Sequence, residues 1–136
     1  MAPLSQDATE EARALATAWL NAAMASDDDW FYANAAEEFR YQMGNGDIAA
    51  LDVIVPFAHQ ITDKHYEVLE VTGHRYGHVV VGYGVYLARG TFPAGFAPDE
   101  YVARYAEGMK VRFSQIWVED ASGTPKIVLN QGTNIP

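Results

Sequence analysis

The chain contains no cysteine, which excludes disulfides, thiolate metal ligands and a cysteine nucleophile. Positive charge is scarce: 9 Lys and Arg stand against 18 Asp and Glu, a formal charge of −9. Such a chain repels phosphate backbones and anionic headgroups, so neither nucleic acid nor a membrane is expected as a partner. No apolar run approaches the ~20 residues of a membrane-spanning helix. The stretch Met1-Ala2-Pro3-Leu4-Ser5-Gln6-Asp7 has neither a basic nor an apolar segment, so it does not read as a secretory leader and the cytoplasm is the expected compartment. There is no internal repeat, low-complexity tract or linker, which gives one domain over residues 1–136. What is present is 49% hydrophobic residues, 12% of the chain being aromatic, enough to bury a core without staples.

Hydrophobic spacing organises the chain into helices first and strands later. Asp7 to Ala25 reads as a helix, with Asp7 and Glu10 at capping-box spacing and Leu15, Trp19, Ala22 and Ala23 as its buried stripe. Asp27-Asp28-Asp29 supplies a break and a second N-cap, and a short helix follows from Trp30 to Ala36. Glu38 to Met43 alternates as a strand, with Phe39, Tyr41 and Met43 on one face. Asp52 is expected to cap a third helix with Pro56 in its first turn and with Phe57, Ala58 and Ile61 toward the core. Strands are then expected at His65–Thr72, Tyr76–Arg89, Lys110–Asp120 and Pro125–Thr133. A long connection, Thr91 to Gly108, carries a short helix from Asp99 to Glu107 and is read as a lid or an interface element. This order gives the α+β class: a curved antiparallel sheet wrapped around the N-terminal helices, a cone with an apolar interior of the kind that holds ligands. Gly82-Tyr83-Gly84, inside a strand pattern, is read as a bulge or sharp bend and not as a phosphate loop.

The order of elements resembles the nuclear transport factor 2-like superfamily, also called the cystatin-like cone, over nearly the whole chain. Val111-Arg112-Phe113-Ser114-Gln115-Ile116-Trp117-Val118, a glycine turn, and Lys126-Ile127-Val128-Leu129-Asn130-Gln131-Gly132-Thr133 are similar to the paired last strands of its SnoaL-like branch. That resemblance implies a pocket inside the cone, a homodimer formed through the open sheet face, and one of several activities hosted by the fold. Against ketosteroid isomerase, the catalytic positions fall on Trp19, Met43 and Gln115, and Met43 cannot act as the base. Against scytalone dehydratase, the segment from His65-Tyr66 to Gly82-Tyr83 is similar and His65 falls on a catalytic histidine. Against limonene epoxide hydrolase, Arg112 is present but Ser114 stands where an acid is needed.

His65 is therefore the candidate acid or base, imidazole being suited to proton transfer near neutral pH. Its bland alternative is a histidine satisfied at a strand end. Gln115 and Asn130 are expected to point into the cone and orient ligand oxygens, or else to satisfy one another across the sheet. Trp19, Tyr41, Met43, His59, Tyr83 and Trp117 complete the expected substrate-binding set, as pocket lining or simply as core. The histidines lack metal-site spacing, and no nucleotide fingerprint occurs, so no metal and no cofactor is expected. Two functions follow. One is a cofactor-independent acid–base enzyme of isomerase, dehydratase, cyclase or hydrolase type acting on a hydrophobic, oxygenated ring compound. The other is a non-catalytic module of the same fold that binds a small molecule or dimerises.

Overall fold

The structure is a computed structural model and describes residues 4–44 and 46–136. A two-residue strand β1 (Gln6–Asp7) leads into α1 (Thr9–Ala25), α2 (Asp28–Asn34), β2 (Ala35–Gln42), β3 (Ile48–Ala49) and α3 (Leu51–Gln60). The second half holds β4 (Thr62–Tyr76), β5 (Val79–Thr91), α4 (Asp99–Glu107), β6 (Met109–Glu119) and β7 (Pro125–Asn134). One seven-stranded sheet runs in the order β1-β4-β5-β6-β7-β2-β3. Every pairing is antiparallel except β2 with β7, which run parallel. The α+β class and the curved, open sheet packed on helices are thus as the sequence indicates. The single parallel pair arises because β2 enters from the helical half and adds to the far side of β7.

Local chemistry explains where the helices begin. Asp27 caps α2 by accepting from the Trp30 backbone N–H at 3.2 Å, a contact worth about 1 kcal/mol. Asp7 does not cap α1 directly. It sits in β1, and its Oδ1 accepts from the Thr9 backbone N–H at 3.1 Å and the Thr9 hydroxyl at 2.7 Å, while Ala8 occupies the N-cap position. Asp52 likewise lies inside the first turn of α3, whose N-cap is Ala50, and Pro56 falls mid-helix instead of in the first turn. The Asp52 carboxylate instead accepts from the Tyr32 hydroxyl at 2.8 Å and ties α3 to α2.

The buried face of α1 is narrower than its pattern suggests. Ala12, Ala16, Trp19, Leu20 and Ala22 are buried, whereas Leu15 and Ala23 are only partly so. Small residues dominate because the helix lies directly on the cross-strand pair Gly73–Gly82. A Cβ on Gly73 would stand 2.4 Å from the Ala12 Cβ. Helix α1 also shields the free edge of β4. The Gly73 N–H donates to the Thr9 hydroxyl at 3.2 Å, and the Tyr66 N–H donates to the Met24 sulfur at 3.3 Å. An edge capped by side chains cannot template a further strand.

Strands β4 and β5 form one long hairpin that turns at Gly77, where φ is +60°, so that β4 runs on to Tyr76, past its expected end at Thr72. The register of the hairpin slips between Val68 and Glu70. The bulge lies on β4, and Gly84 faces it: a Cβ there would meet the Glu70 carbonyl oxygen at 2.0 Å. The glycine pair in β5 therefore makes room for the helix and for the partner strand's bulge, and is not itself bulged. At the hairpin tip, Arg75 donates to Glu11 of α1 and Glu119 of β6, and to the Gly77 carbonyl at 2.9 Å. This guanidinium holds the Glu119 carboxyl below its ordinary value.

Candidate functional site

Between the inner sheet face, α1, α3 and the segment from Phe92 to α4 lies a cavity of about 600 Å³. That is the size of a typical small-molecule pocket. Its walls come from alternation and helical spacing. On β2, Phe39 is fully buried while Tyr41 and the following Met43 line the cavity. On β4 and β5, Tyr66 and Tyr86 point inward, their rings meeting edge to face with centroids 6.2 Å apart. On α4, Tyr101 and Tyr105 are four residues apart and share the inward face. Phe92 and Phe96 stack at 5.3 Å and pack on Phe57 of α3. The Thr91–Gly108 connection is thus a wall of the cavity.

No Asp, Glu, His, Lys or Arg lines this cavity among the described residues. Its polar groups are mostly phenols. The Tyr105 hydroxyl donates to the Tyr66 oxygen at 3.0 Å, and the phenols of Tyr86 and Tyr41 lie close enough to perturb one another. Burial disfavours the phenolate, so the phenols of Tyr41, Tyr66, Tyr86 and Tyr105 are all pushed above their ordinary value. Each is a neutral hydroxyl across the physiological range.

Beside the main cavity a void of about 10 Å³ is lined by Gln115, Asn130, Phe113 and Ala16, and the two spaces share Trp19, Leu20 and Tyr86. Only a group of about water size fits such a void. Gln115 and Asn130 are directly opposite one another on β6 and β7 and are 3% and 4% exposed. The Gln115 carbonyl oxygen accepts from the Trp117 indole N–H at 3.2 Å. The Asn130 carbonyl oxygen is buried without a hydrogen-bond donor among the described residues. The amides do point inward, as expected, and they do not form a closed self-satisfied pair.

Of the residues singled out from the sequence, Trp19, Tyr41 and Met43 line the cavity, and Gln115 and Asn130 line the small void that adjoins it. The others lie elsewhere. Trp117 is core, 2% exposed, and supports Gln115 from behind. Tyr83 is 45% exposed on the outer sheet face, where it stacks on His74. His59 is on the exposed side of α3, its Nε2 2.7 Å from Asp28. His65 also faces outward, half-exposed, with Nε2 3.7 Å from Glu67. Strand alternation is the reason: Tyr66, the next residue, takes the inward position. The structure does not bring His65 to the cavity.

Sequence reasoning missed Tyr66, Tyr86, Tyr101 and Tyr105. Tyrosine is a good strand former, so Tyr66 and Tyr86 carry no signal beyond β propensity. Tyr101 and Tyr105 did carry one, as an i, i+4 aromatic pair on an expected helix.

No family model matches the sequence, and no curated protein matches it. Solved structures do share its architecture. An NTF2-like protein from Cytophaga hutchinsonii superposes with a TM-score of 0.72 at 12% identity, covering 88% of this chain and 91% of that one. The CaMKII hub of S. rosetta gives 0.71 at 13% identity, over 93% and 96%. A candidate ketosteroid isomerase from Shewanella frigidimarina gives 0.70 at 10% identity, over 90% and 94%. At such identities the likeness shows the fold. The chain has the nuclear transport factor 2-like, cystatin-like architecture that its sequence resembles, and these structures do not single out the SnoaL-like branch.

Proposed function

We propose that this protein binds a neutral, oxygenated ring compound in the tyrosine-lined cavity. The observation that carries this reading is the lining itself: about 600 Å³ bounded by aromatic side chains and phenols, with no charged group among the described residues. Aromatic walls match flat or fused rings. A buried anion or cation would find no counter-charge there and would bear its full desolvation cost. The adjoining small void adds polarity at one point. The unpaired Asn130 carbonyl oxygen accepts a hydroxyl of the ligand, since the void above it admits a group of that size and nothing bulkier.

Binding leads over acid–base turnover as isomerase, lyase or cyclase. The imidazole expected to move the proton, His65, faces Glu67 and solvent. Met43 lines the cavity where the isomerase comparison needs a base. Turnover would rest on phenols alone.

A matched pair of fluorescent probes tests this reading. N-phenyl-naphthylamine is neutral, and anilinonaphthalene sulfonate has the same rings with one negative charge. The neutral probe is expected to bind with enhanced emission, and the sulfonate at least about 100-fold more weakly, because its charge is unpaired in the cavity. Equal affinity, or no binding of the neutral probe, would overturn the proposal.

We also propose a homodimer paired through the outer sheet face. Tyr83 is exposed there beside Val81 and Ile116, which face each other across β5 and β6 and are only partly covered. An apolar outer face of this kind is a natural pairing surface. Sedimentation equilibrium is expected to give twice the 15.0 kDa chain mass, and Tyr83→Lys to return it to a single chain. A monomeric wild type rules the pairing out.

A further inference from the structure

We infer that Tyr66 and Tyr105 together form the anchor for a carbonyl oxygen of the ligand, with Tyr105 polarising Tyr66 and Tyr66 donating to the carbonyl. This rests on the cavity reading above and narrows it to ketone- or quinone-type ring compounds.

The inference starts from proton counting. A phenol has one proton to donate. Tyr105 spends its own on the Tyr66 oxygen, at 3.0 Å. The Tyr66 oxygen is thereby engaged as an acceptor, and its own proton has no protein acceptor among the described residues. Both rings line the cavity, so that proton is available to whatever fills it. A hydroxyl that accepts one hydrogen bond donates the next one more strongly, and most of all where water is scarce. The natural complement is an oxygen with free lone pairs and no proton of its own. A carbonyl fits this description. A carboxylate does not, because both phenols stay neutral under burial and no cation stands near them in the cavity.

The two halves of the anchor come from different parts of the chain. Tyr66 is fixed in β4 with its backbone N–H held by Met24. Tyr105 arrives on α4, the wall built by the Thr91–Gly108 connection. Gly90 on β5 leaves the space for its ring: a Cβ there would lie 3.3 Å from the Tyr105 Cε1 and 2.9 Å from the Ile61 Cγ2. The anchor is therefore assembled only when α4 is seated, which links ligand recognition to the position of that wall.

Prodan, a neutral naphthalene carrying a ketone and a dimethylamino group, is the test probe, since its emission moves to the red when the ketone accepts a hydrogen bond. On the intact protein it is expected to bind with emission red of that in a dry hydrocarbon. Tyr66→Phe is expected to weaken Prodan by about tenfold and move its bound emission to the blue, and Tyr105→Phe to weaken it by about threefold with a smaller blue shift. Loss on Prodan is expected to exceed loss on N-phenyl-naphthylamine, which has no carbonyl, by about fivefold in Tyr66→Phe. The exposed Tyr76→Phe is the reference for a tyrosine outside the cavity. If N-phenyl-naphthylamine binds but Prodan keeps its affinity and emission in Tyr66→Phe, the anchor is refuted and the cavity reading stands. If N-phenyl-naphthylamine does not bind the wild type, both fail. Should Tyr66→Phe not fold, the Prodan emission in Tyr105→Phe decides: unchanged emission refutes the anchor.

Discussion

Gly84→Ala is expected to destabilise the fold by about 3 kcal/mol, near the upper end of what added core volume costs, and to lower Tm by roughly 10 °C in a chain of this size. The cause is a backbone collision. A Cβ at position 84 would lie 2.0 Å from the Glu70 carbonyl oxygen and 2.8 Å from its carbon, and neither can swing aside as a side-chain tip does. Either the bulge between Val68 and Glu70 is removed or β5 separates from β4. The same reasoning grades the neighbouring glycines. At Gly82 the nearest atom is the Ala12 Cβ at 3.0 Å, with nothing else closer than 3.8 Å. Gly82→Ala should therefore cost less, about 1 kcal/mol, and the double variant with Ala12→Gly should recover most of the clash. Urea unfolding of the four proteins measures this directly. A Gly84→Ala variant within about 0.5 kcal/mol of wild type, the ordinary range for a surface change, would mean that the bulge is not where the structure places it.

The second large effect is alkaline unfolding. Burial pushes the phenols of Tyr41, Tyr66, Tyr86 and Tyr105 above their ordinary value of 10.0. The folded state therefore keeps these protons where the unfolded chain loses them. For groups whose folded pKa is raised, the stabilisation is complete below the unfolded value and is lost as pH rises past it. Each phenol that keeps its proton in the fold adds to the loss, so stability declines with rising pH above about pH 10 and the decline steepens with the number of such groups. Phenolate absorbance followed against circular dichroism should show two stages. Exposed tyrosines such as Tyr76 and Tyr83 ionise first with no change in fold. The cavity tyrosines then ionise in one steep step that coincides with loss of secondary structure. If all 8 tyrosines ionise together near their ordinary value while the fold persists, the cavity is wet and its phenols are not buried.

The two halves of this protein differ in how much their sequence discloses. The helices, the β6–β7 pair and α4 with its bounds at Asp99 and Glu107 were legible because their periodicities are unbroken. The inward facing of Gln115 and Asn130 was legible for the same reason: they pair directly across β6 and β7. On β4 periodicity fails. Tyr66 and Val68 pack against the core from even positions, whereas Val71 and Gly73 are buried from odd ones. The bulge between Val68 and Glu70 shifts the phase by one residue. No local signal marks it, because the glycine that permits it, Gly84, belongs to the partner strand. His65 lies upstream of the bulge, where Tyr66 and Val68 already alternate with His65 and Glu67 and turn the imidazole outward. The resemblance to a dehydratase pointed to His65 and local alternation pointed to Tyr66, and that choice separates an imidazole-centred active site from a phenol-lined pocket. The parallel pairing of β2 with β7 was hidden for a related reason: it joins residues as distant as Tyr41 and Asn130, and neither strand carries a mark of its partner.

The most direct test of the central claim is a crystal structure of the complex with N-phenyl-naphthylamine. The expected result is the probe inside the cone, its rings against Trp19 and Phe57 and within reach of the Tyr66 and Tyr41 hydroxyls, with no charged side chain in contact. A probe seated on the outer sheet face beside Tyr83, with the interior closed by Phe92, Tyr101 and Tyr105, would contradict it.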